Sequence, residues 1–180
     1  MARNPYSEAS ASHPLPHSDS TVKRLIRTIS AALKPAIGTA LAVALTGYLT
    51  ILSGIPLLMA PLGATCVLLF AMPASPLSQP RNVIGGHCLS TATGILALKC
   101  LGPYWWTAAI AAGLAVFLML LTRTLHPPAG ADPVLIIAGG SGVTWNFLIT
   151  PVLAGSVVLV LTAVVYHKFH AVSYPRSAKE

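Results

Sequence analysis

Between Ser20 and Lys179 the chain carries a single carboxylate side chain, Asp132. A soluble domain draws about a quarter of its residues from Asp, Glu, Lys and Arg. This chain draws 8% from them, against 54% hydrophobic residues, and its mean hydropathy is +0.73. So few charges cannot coat a water-exposed surface, and the sequence reads as an integral membrane protein, not a soluble enzyme. The other acids, Glu8, Asp19 and Glu180, lie near the ends. Asp132 is left alone inside apolar sequence, where an ionisable group is costly and marks a functional position by default.

The net charge of +7 does not point to nucleic acid. The basic residues gather at the ends, as Arg3, Lys23, Arg24, Arg27 and Lys34 and then Lys168, Arg176 and Lys179. No basic stripe with interleaved aromatics accompanies them, as a nucleic-acid reader would need. Terminal Lys and Arg follow the positive-inside rule, which predicts both termini on the cytoplasmic side of a cell inner membrane. Residues 1–20 lack the apolar run of a secretory signal and are expected to be a disordered cytoplasmic tail holding His13 and His17; residues 171–180 form a second tail. Cys66, Cys88 and Cys100 lack metal-ligand spacing and read as packing residues.

The membrane domain is expected over residues 21–170. It opens with an amphipathic helix, Thr21–Leu33: Val22, Leu25, Ile26, Ile29 and Leu33 fall on one face and Lys23, Arg24 and Arg27 on the other, as in a helix lying in the interface. Six apolar segments follow, at about Pro35–Ser53, Pro56–Met72, Val83–Leu101, Tyr104–Thr122, Pro127–Gly142 and Phe147–His167. A full span needs about 20 apolar residues. Four segments meet that, whereas the second and fifth are short and interrupted by Gly or Pro. The predicted fold is an all-α polytopic membrane helix bundle with four full spans and two short broken segments. Tyr104, Trp105 and Trp106 read as interfacial aromatics.

The two short segments match each other. Pro61-Leu-Gly63-Ala64-Thr-Cys-Val67-Leu68-Leu-Phe-Ala71 aligns with Pro128-Ala-Gly130-Ala131-Asp-Pro-Val134-Leu135-Ile-Ile-Ala138 as P-x-G-A-x-x-V-L-x-x-A. Beyond them, Val83-Ile84-Gly85-Gly86 aligns more weakly with Val152-Leu153-Ala154-Gly155. The chain therefore reads as a three-plus-three internal repeat. Paired Gly/Pro-interrupted segments in two halves of a membrane protein point to a transport site.

The candidate site residues follow from this pairing. Pro127 and Pro128 remove two backbone donors and hold the chain extended, and Gly130 permits close backbone approach. A helix starting beyond them would aim free N–H groups and a positive dipole end at a small anion. Pro61, Gly63 and Ala64 would supply an opposed end; the alternative is that both are tight helix crossings of small residues. His87 and His126 are candidates for a proton relay, a gate or an anion ligand, or are bland hydrogen-bonded histidines. Asp132 caps the new helix or couples protons, with the cap favoured. Arg81 and Asn82, beside Gly85 and Gly86, would recruit anions at a vestibule, or Arg81 would only orient an inner loop by charge. No nucleophile–base–orienter constellation is visible, and no metal or other cofactor is expected.

His126-Pro127-Pro128 followed by Ala129-Gly130-Ala131 resembles the signature of the HPP family of integral membrane proteins, and the stretch from Pro61 to His87 is similar to that family's other long motif. The resemblance covers residues 25–170 or so. It implies a compact bundle usually described as four transmembrane helices, and it implies transport, since some members in plastids and cyanobacteria are associated with nitrite. Passage of nitrite or a similar small inorganic anion is therefore the expected function, with the lipid bilayer as the main partner and a homo-oligomer left open. Two alternatives stand beside it. A membrane-embedded enzyme would bring His87, His126 and Asp132 within hydrogen-bond reach, and a non-transporting assembly or sensor subunit would have a filled interior.

Overall fold

The computed structural model describes residues 18–176. Most of the expected N-terminal tail, with Arg3, His13 and His17, and the last four residues lie outside that range. Helix is the dominant structure of the described residues, with no strand among them.

The first helix, α1 (Ser18–Ser53), runs through Pro35 without ending there. The amphipathic stretch Thr21–Leu33 is its first part, and alanine- and leucine-rich sequence on both sides of the proline carries one continuous helix onward. The described residues up to Leu33 and those from Lys34 to Arg176 fall into two separate compact units. In the first, Val22, Leu25, Ile26, Ile29 and Leu33 are all more than half exposed.

The second unit holds the rest of α1 and five further helices: α2 (Ala60–Ala71), α3 (Pro80–Leu101), α4 (Trp105–Leu121), α5 (Asp132–Gly139) and α6 (Ala154–Phe169). Among the described residues three stretches are long and apolar enough to cross a membrane, Thr21–Ser53, Pro80–Leu101 and Leu148–Phe169. The last includes an irregular first turn, Leu148–Leu153, in which Thr150 is extended. With 17 residues α4 stands at the lower limit for a span of about 17–25. The two matched segments are much shorter. At about 1.5 Å per residue, the 12 residues of α2 and the 8 of α5 rise roughly 18 and 12 Å, against a hydrocarbon core of about 30 Å. They are half-helices, as their prolines and glycines implied.

Polar backbone cannot face lipid unpaired, so both half-helices lie inside the bundle. Pro61, Leu62, Thr65, Cys66, Leu69 and Phe70 of α2 are buried, as are Asp132, Pro133, Ile136 and Ile137 of α5. The central element is α3, which packs on α4, α5 and α6. Large apolar side chains such as Leu41, Phe117, Leu121 and Phe169 are exposed on the outside, a surface suited to lipid and not to water.

The repeat recurs in the packing. A Cβ placed on Gly86 of α3 would stand 2.9 Å from the carbonyl oxygen of Thr124 and 2.8 Å from His126 Cβ. A Cβ on Gly155, the matching glycine of α6, would overlap the carbonyl oxygen of Leu57. Thr124 precedes Pro128 by four residues, and Leu57 precedes Pro61 by four. The third helix of each half thus presses a glycine against the approach to the other half's broken segment. Small residues let backbones meet in this way where lipid offers no hydrophobic drive.

Of the expected second tail, Tyr174 and Arg176 are bonded to the bundle. Tyr174 is buried and its hydroxyl donates to the Ser78 carbonyl at 3.0 Å, while the Arg176 N–H donates to Gln79 Oε1 at 2.9 Å. Burial pushes the Tyr174 phenol above its usual range.

Candidate functional site

Along α3, His87, Ser90, Thr91 and Gly94 recur at i, i+3, i+4 and i+7, one face of a helix. All four are buried. The polar stripe of this membrane helix therefore points inward, as intramembrane polar groups do, and both half-helices meet it. Gly94 gives α5 room, since a Cβ there would come within 2.9 Å of Pro133 Cα. Ser90 Oγ donates to the Ala129 carbonyl at 2.6 Å, tying down the 3-10 turn Pro127–Ala131 that precedes α5.

At the centre is His87. Its Nδ1 lies 2.8 Å from Asp132 Oδ2, at the start of α5. Its Nε2 lies 2.8 Å from Thr65 Oγ1 on α2. Thr65 and Asp132 occupy the same position in the P-x-G-A-x pattern, so equivalent points of the two halves hold one imidazole at its two nitrogens. Thr65 Oγ1 is also 2.9 Å from His126 Nε2 and 3.2 Å from the Pro61 carbonyl. His126 Nδ1 donates to the Leu77 carbonyl at 2.8 Å. Thr91 donates to Asp132 Oδ2 at 3.3 Å. The four side chains of this chain, Asp132, His87, Thr65 and His126, have no solvent exposure. The second carboxylate oxygen, Asp132 Oδ1, is buried without a hydrogen-bond partner among the described residues.

The structure brings together His87, His126 and Asp132 from among the residues singled out by sequence. Asp132 is not a helix cap: it is the first residue of α5, the cap position is Ala131, and no side-chain cap bond is made. Its carboxylate turns inward because an imidazole and a hydroxyl on α3 compensate it better than one backbone N–H would. Nor does a helix end stand free beyond Gly130, since the carboxylate occupies that first turn. Arg81 lies outside the cluster, exposed, with Nη2 donating to the Thr122 carbonyl at 3.0 Å. Asn82 Nδ2 donates to the Leu125 carbonyl at 2.9 Å. Gly85 and Gly86 accommodate Thr124 and His126. These four residues fix the loop that delivers His126. Pro61 is buried, Pro127 and Ala64 are exposed, and Pro128 is partly so. A Cβ on Gly63 or Gly130 would meet nothing within 4 Å, so neither is a tight crossing within this chain.

Sequence reasoning missed Thr65, Ser90 and Thr91. Thr65 had a signal, its alignment with Asp132 across the repeat. An acid–imidazole–hydroxyl alignment, Asp132–His87–Thr65, also exists although the sequence showed no such constellation, because its members come from three separate helices. No group of three or more His, Cys, Asp or Glu side chains among the described residues is arranged to hold a metal ion.

The model of the HPP transmembrane region matches residues 25–175. The chain belongs to this family. The HPP match spans α1 from Leu25 through Tyr174 and takes in every residue of the buried cluster. Two proteins of Dictyostelium discoideum, each named as a transmembrane protein, are similar to it. One is 37% identical over 120 residues, covering 62% of this chain and 42% of the relative. The other is 32% identical over 119 residues, covering 62% and 38%. The matched region of this HPP chain spans less than half the length of those relatives. No solved structure matches it.

Proposed function

We propose that the protein passes a small inorganic anion, nitrite or one of similar size, across a cell inner membrane, with both termini cytoplasmic. The observation that carries this reading is the meeting of the two half-helices at His87. Equivalent positions of an internal repeat, Thr65 and Asp132, bind one buried imidazole inside an apolar bundle. Sites at such repeat interfaces are where secondary transporters hold their cargo. A Cβ on Gly63 or Gly130 would meet nothing within 4 Å, so neither broken segment is packed shut at its glycine, and in this reading the solute passes there. Asp132 does not repel an anion as a bare charge would, because His87 and Thr91 engage its carboxylate. Every member of the cluster is buried, so in this reading passage requires the half-helices to part.

The choice of nitrite rests on the family resemblance. Flux of a panel of small anions into proteoliposomes, with His126→Ala as control, tests it. Protein-dependent uptake of nitrite, weakened by the substitution, supports the reading, and uptake no faster than in empty vesicles refutes it.

One observation favours a membrane enzyme instead. Asp132, His87 and Thr65 stand in the order of an orienting acid, a base and a hydroxyl nucleophile. Thr65 Oγ1 is, however, shared with His126 and the Pro61 carbonyl, which occupies the lone pair and proton that an attacking hydroxyl needs. Covalent labelling of Thr65 by an activated ester or fluorophosphonate would favour the enzyme over the transporter.

A further inference from the structure

We propose that the buried chain Asp132–His87–Thr65–His126 is a proton-binding site, holding one proton beyond that of two neutral imidazoles and an ionised carboxylate, and that Thr65 relays this proton between the histidines.

The argument is a count of donors and acceptors. The Leu77 carbonyl can only accept, so His126 Nδ1 carries a proton. One proton lies between His87 Nδ1 and Asp132 Oδ2. With no others present, Nε2 of each histidine is a bare lone pair, and both face Thr65 Oγ1 at 2.8 and 2.9 Å. A hydroxyl has one proton to donate. It satisfies one ring and leaves the other lone pair against an oxygen lone pair in a fully buried place, where an unmade bond costs about 1–3 kcal/mol. One more proton removes the conflict. His87 Nε2–H then donates to Thr65 Oγ1, Thr65 O–H donates to His126 Nε2, and His126 Nδ1–H donates to Leu77. Every ring nitrogen is paired.

The same heavy-atom positions serve a second arrangement. The His87 Nε2 proton moves to Thr65 Oγ1 as the Thr65 proton moves to His126 Nε2. His126 becomes the cation, donating from both nitrogens, and Thr65 O–H donates back to His87. One proton enters and one leaves the hydroxyl, so atoms and charge balance and no oxidant or reductant is involved. A fourth ring proton also fits, with Thr65 accepting from both rings and donating to the Pro61 carbonyl. The chain thus accommodates three or four protons on its rings and carboxylate together, and not two. If Asp132 holds the proton nearest it, the count for the whole chain is unchanged.

The environment agrees with the count. Asp132 Oδ1 is buried and unpartnered, so the carboxylate relies on a positive neighbour for compensation, and an imidazolium at His87 provides one. The other titratable groups nearby are few. On α3, Cys88 lies close enough to interact electrostatically with Asp132, and on α2 Cys66 neighbours Thr65 in the core. No titratable side chain is present in α4. Arg81 is exposed and directed to Thr122, His167 is bonded to the Leu69 carbonyl, and Tyr174 to that of Ser78.

In the transport reading the proton is the coupling ion; only that last clause rests on the proposed function. The test is nitrogen-15 magnetic resonance of histidine-labelled full-length protein in lipid bilayers, where protonated and bare ring nitrogens resonate far apart. His87→Gln and His126→Gln assign the signals. With aspartate also labelled, so that the Asp132 carboxyl is read by its carbon-13 shift, wild type and Thr65→Ser at neutral pH should show three protons on the ring nitrogens and that carboxyl together, rising to four on acidification, and Thr65→Val should show two. Two in wild type overturns the proposal. So does three in wild type that persists in Thr65→Val, because the hydroxyl would then not be the bridge. If Thr65→Val does not fold, the wild-type and Thr65→Ser counts still decide. Absence of anion flux would refute the transport reading and leave the proton count untouched.

Discussion

Alanine substitution at Gly155 and Gly86 should destabilise the bundle, whereas the same change at Gly63 should not. In a helix interior, Gly→Ala is by itself favourable by about 0.5–1 kcal/mol. At Gly155 the new Cβ overlaps the Leu57 carbonyl oxygen and stands 2.7 Å from Leu62 Cδ1. The Leu62 methyl can rotate away, but the carbonyl is backbone and cannot. At Gly86 the Thr124 oxygen at 2.9 Å and His126 Cβ at 2.8 Å must retreat by roughly half an ångström to reach ordinary contact, displacing the loop that carries His126. Overpacking costs about 1–3 kcal/mol and occasionally more, so it outweighs the helix gain. The net loss should be about 1–2 kcal/mol at Gly86 and larger at Gly155. At Gly63, where a Cβ meets nothing, only the helix gain remains. Thermal unfolding in detergent, read by a thiol-reactive fluorophore reaching the buried Cys66 in a Cys88→Ser, Cys100→Ser background, measures all three. A Gly155→Ala protein as stable as its parent would refute the cross-packing of the two halves.

Three further outcomes follow from the same geometry. Asp132→Asn keeps the shape but removes the charge that faces His87, so flux should fall by tenfold or more while the protein stays monodisperse; unchanged flux would remove Asp132 from the mechanism. Arg81→Gln loses an exposed hydrogen bond to Thr122, so stability should change by less than about 1 kcal/mol, while the apparent affinity for anion falls several-fold, most at low salt. Reporter fusions at both ends should read cytoplasmic, and a periplasmic signal from either would contradict the orientation.

The fold class and the two half-helices were legible in the sequence because lipid leaves few options: long apolar runs must be helices, and Pro or Gly at fixed offsets must interrupt them. The repeat was legible as a pattern, and the packing of Gly86 and Gly155 gives it a spatial meaning that alignment alone lacked. The cluster was only partly legible. His87, His126 and Asp132 stood out as rare ionisable residues among apolar ones, but Thr65, Ser90 and Thr91 are ordinary in membrane helices, where hydroxyls often bond their own backbone. The orientation of Asp132 could not be read locally, because capping satisfies the backbone beside it whereas the imidazole that captures it sits 45 residues earlier in the chain.

The central claim is that a solute passes beside the two P-x-G-A segments, and leucine at Gly130 tests it most directly. A Cβ there meets nothing within 4 Å, so the substitution should leave insertion and folding intact, and the longer side chain should reach into the space assigned to the solute. Expression, detergent monodispersity and nitrite flux in proteoliposomes are measured together on Gly130→Leu and on wild type. The account predicts a well-folded variant without flux. A well-folded Gly130→Leu protein with wild-type flux would contradict it.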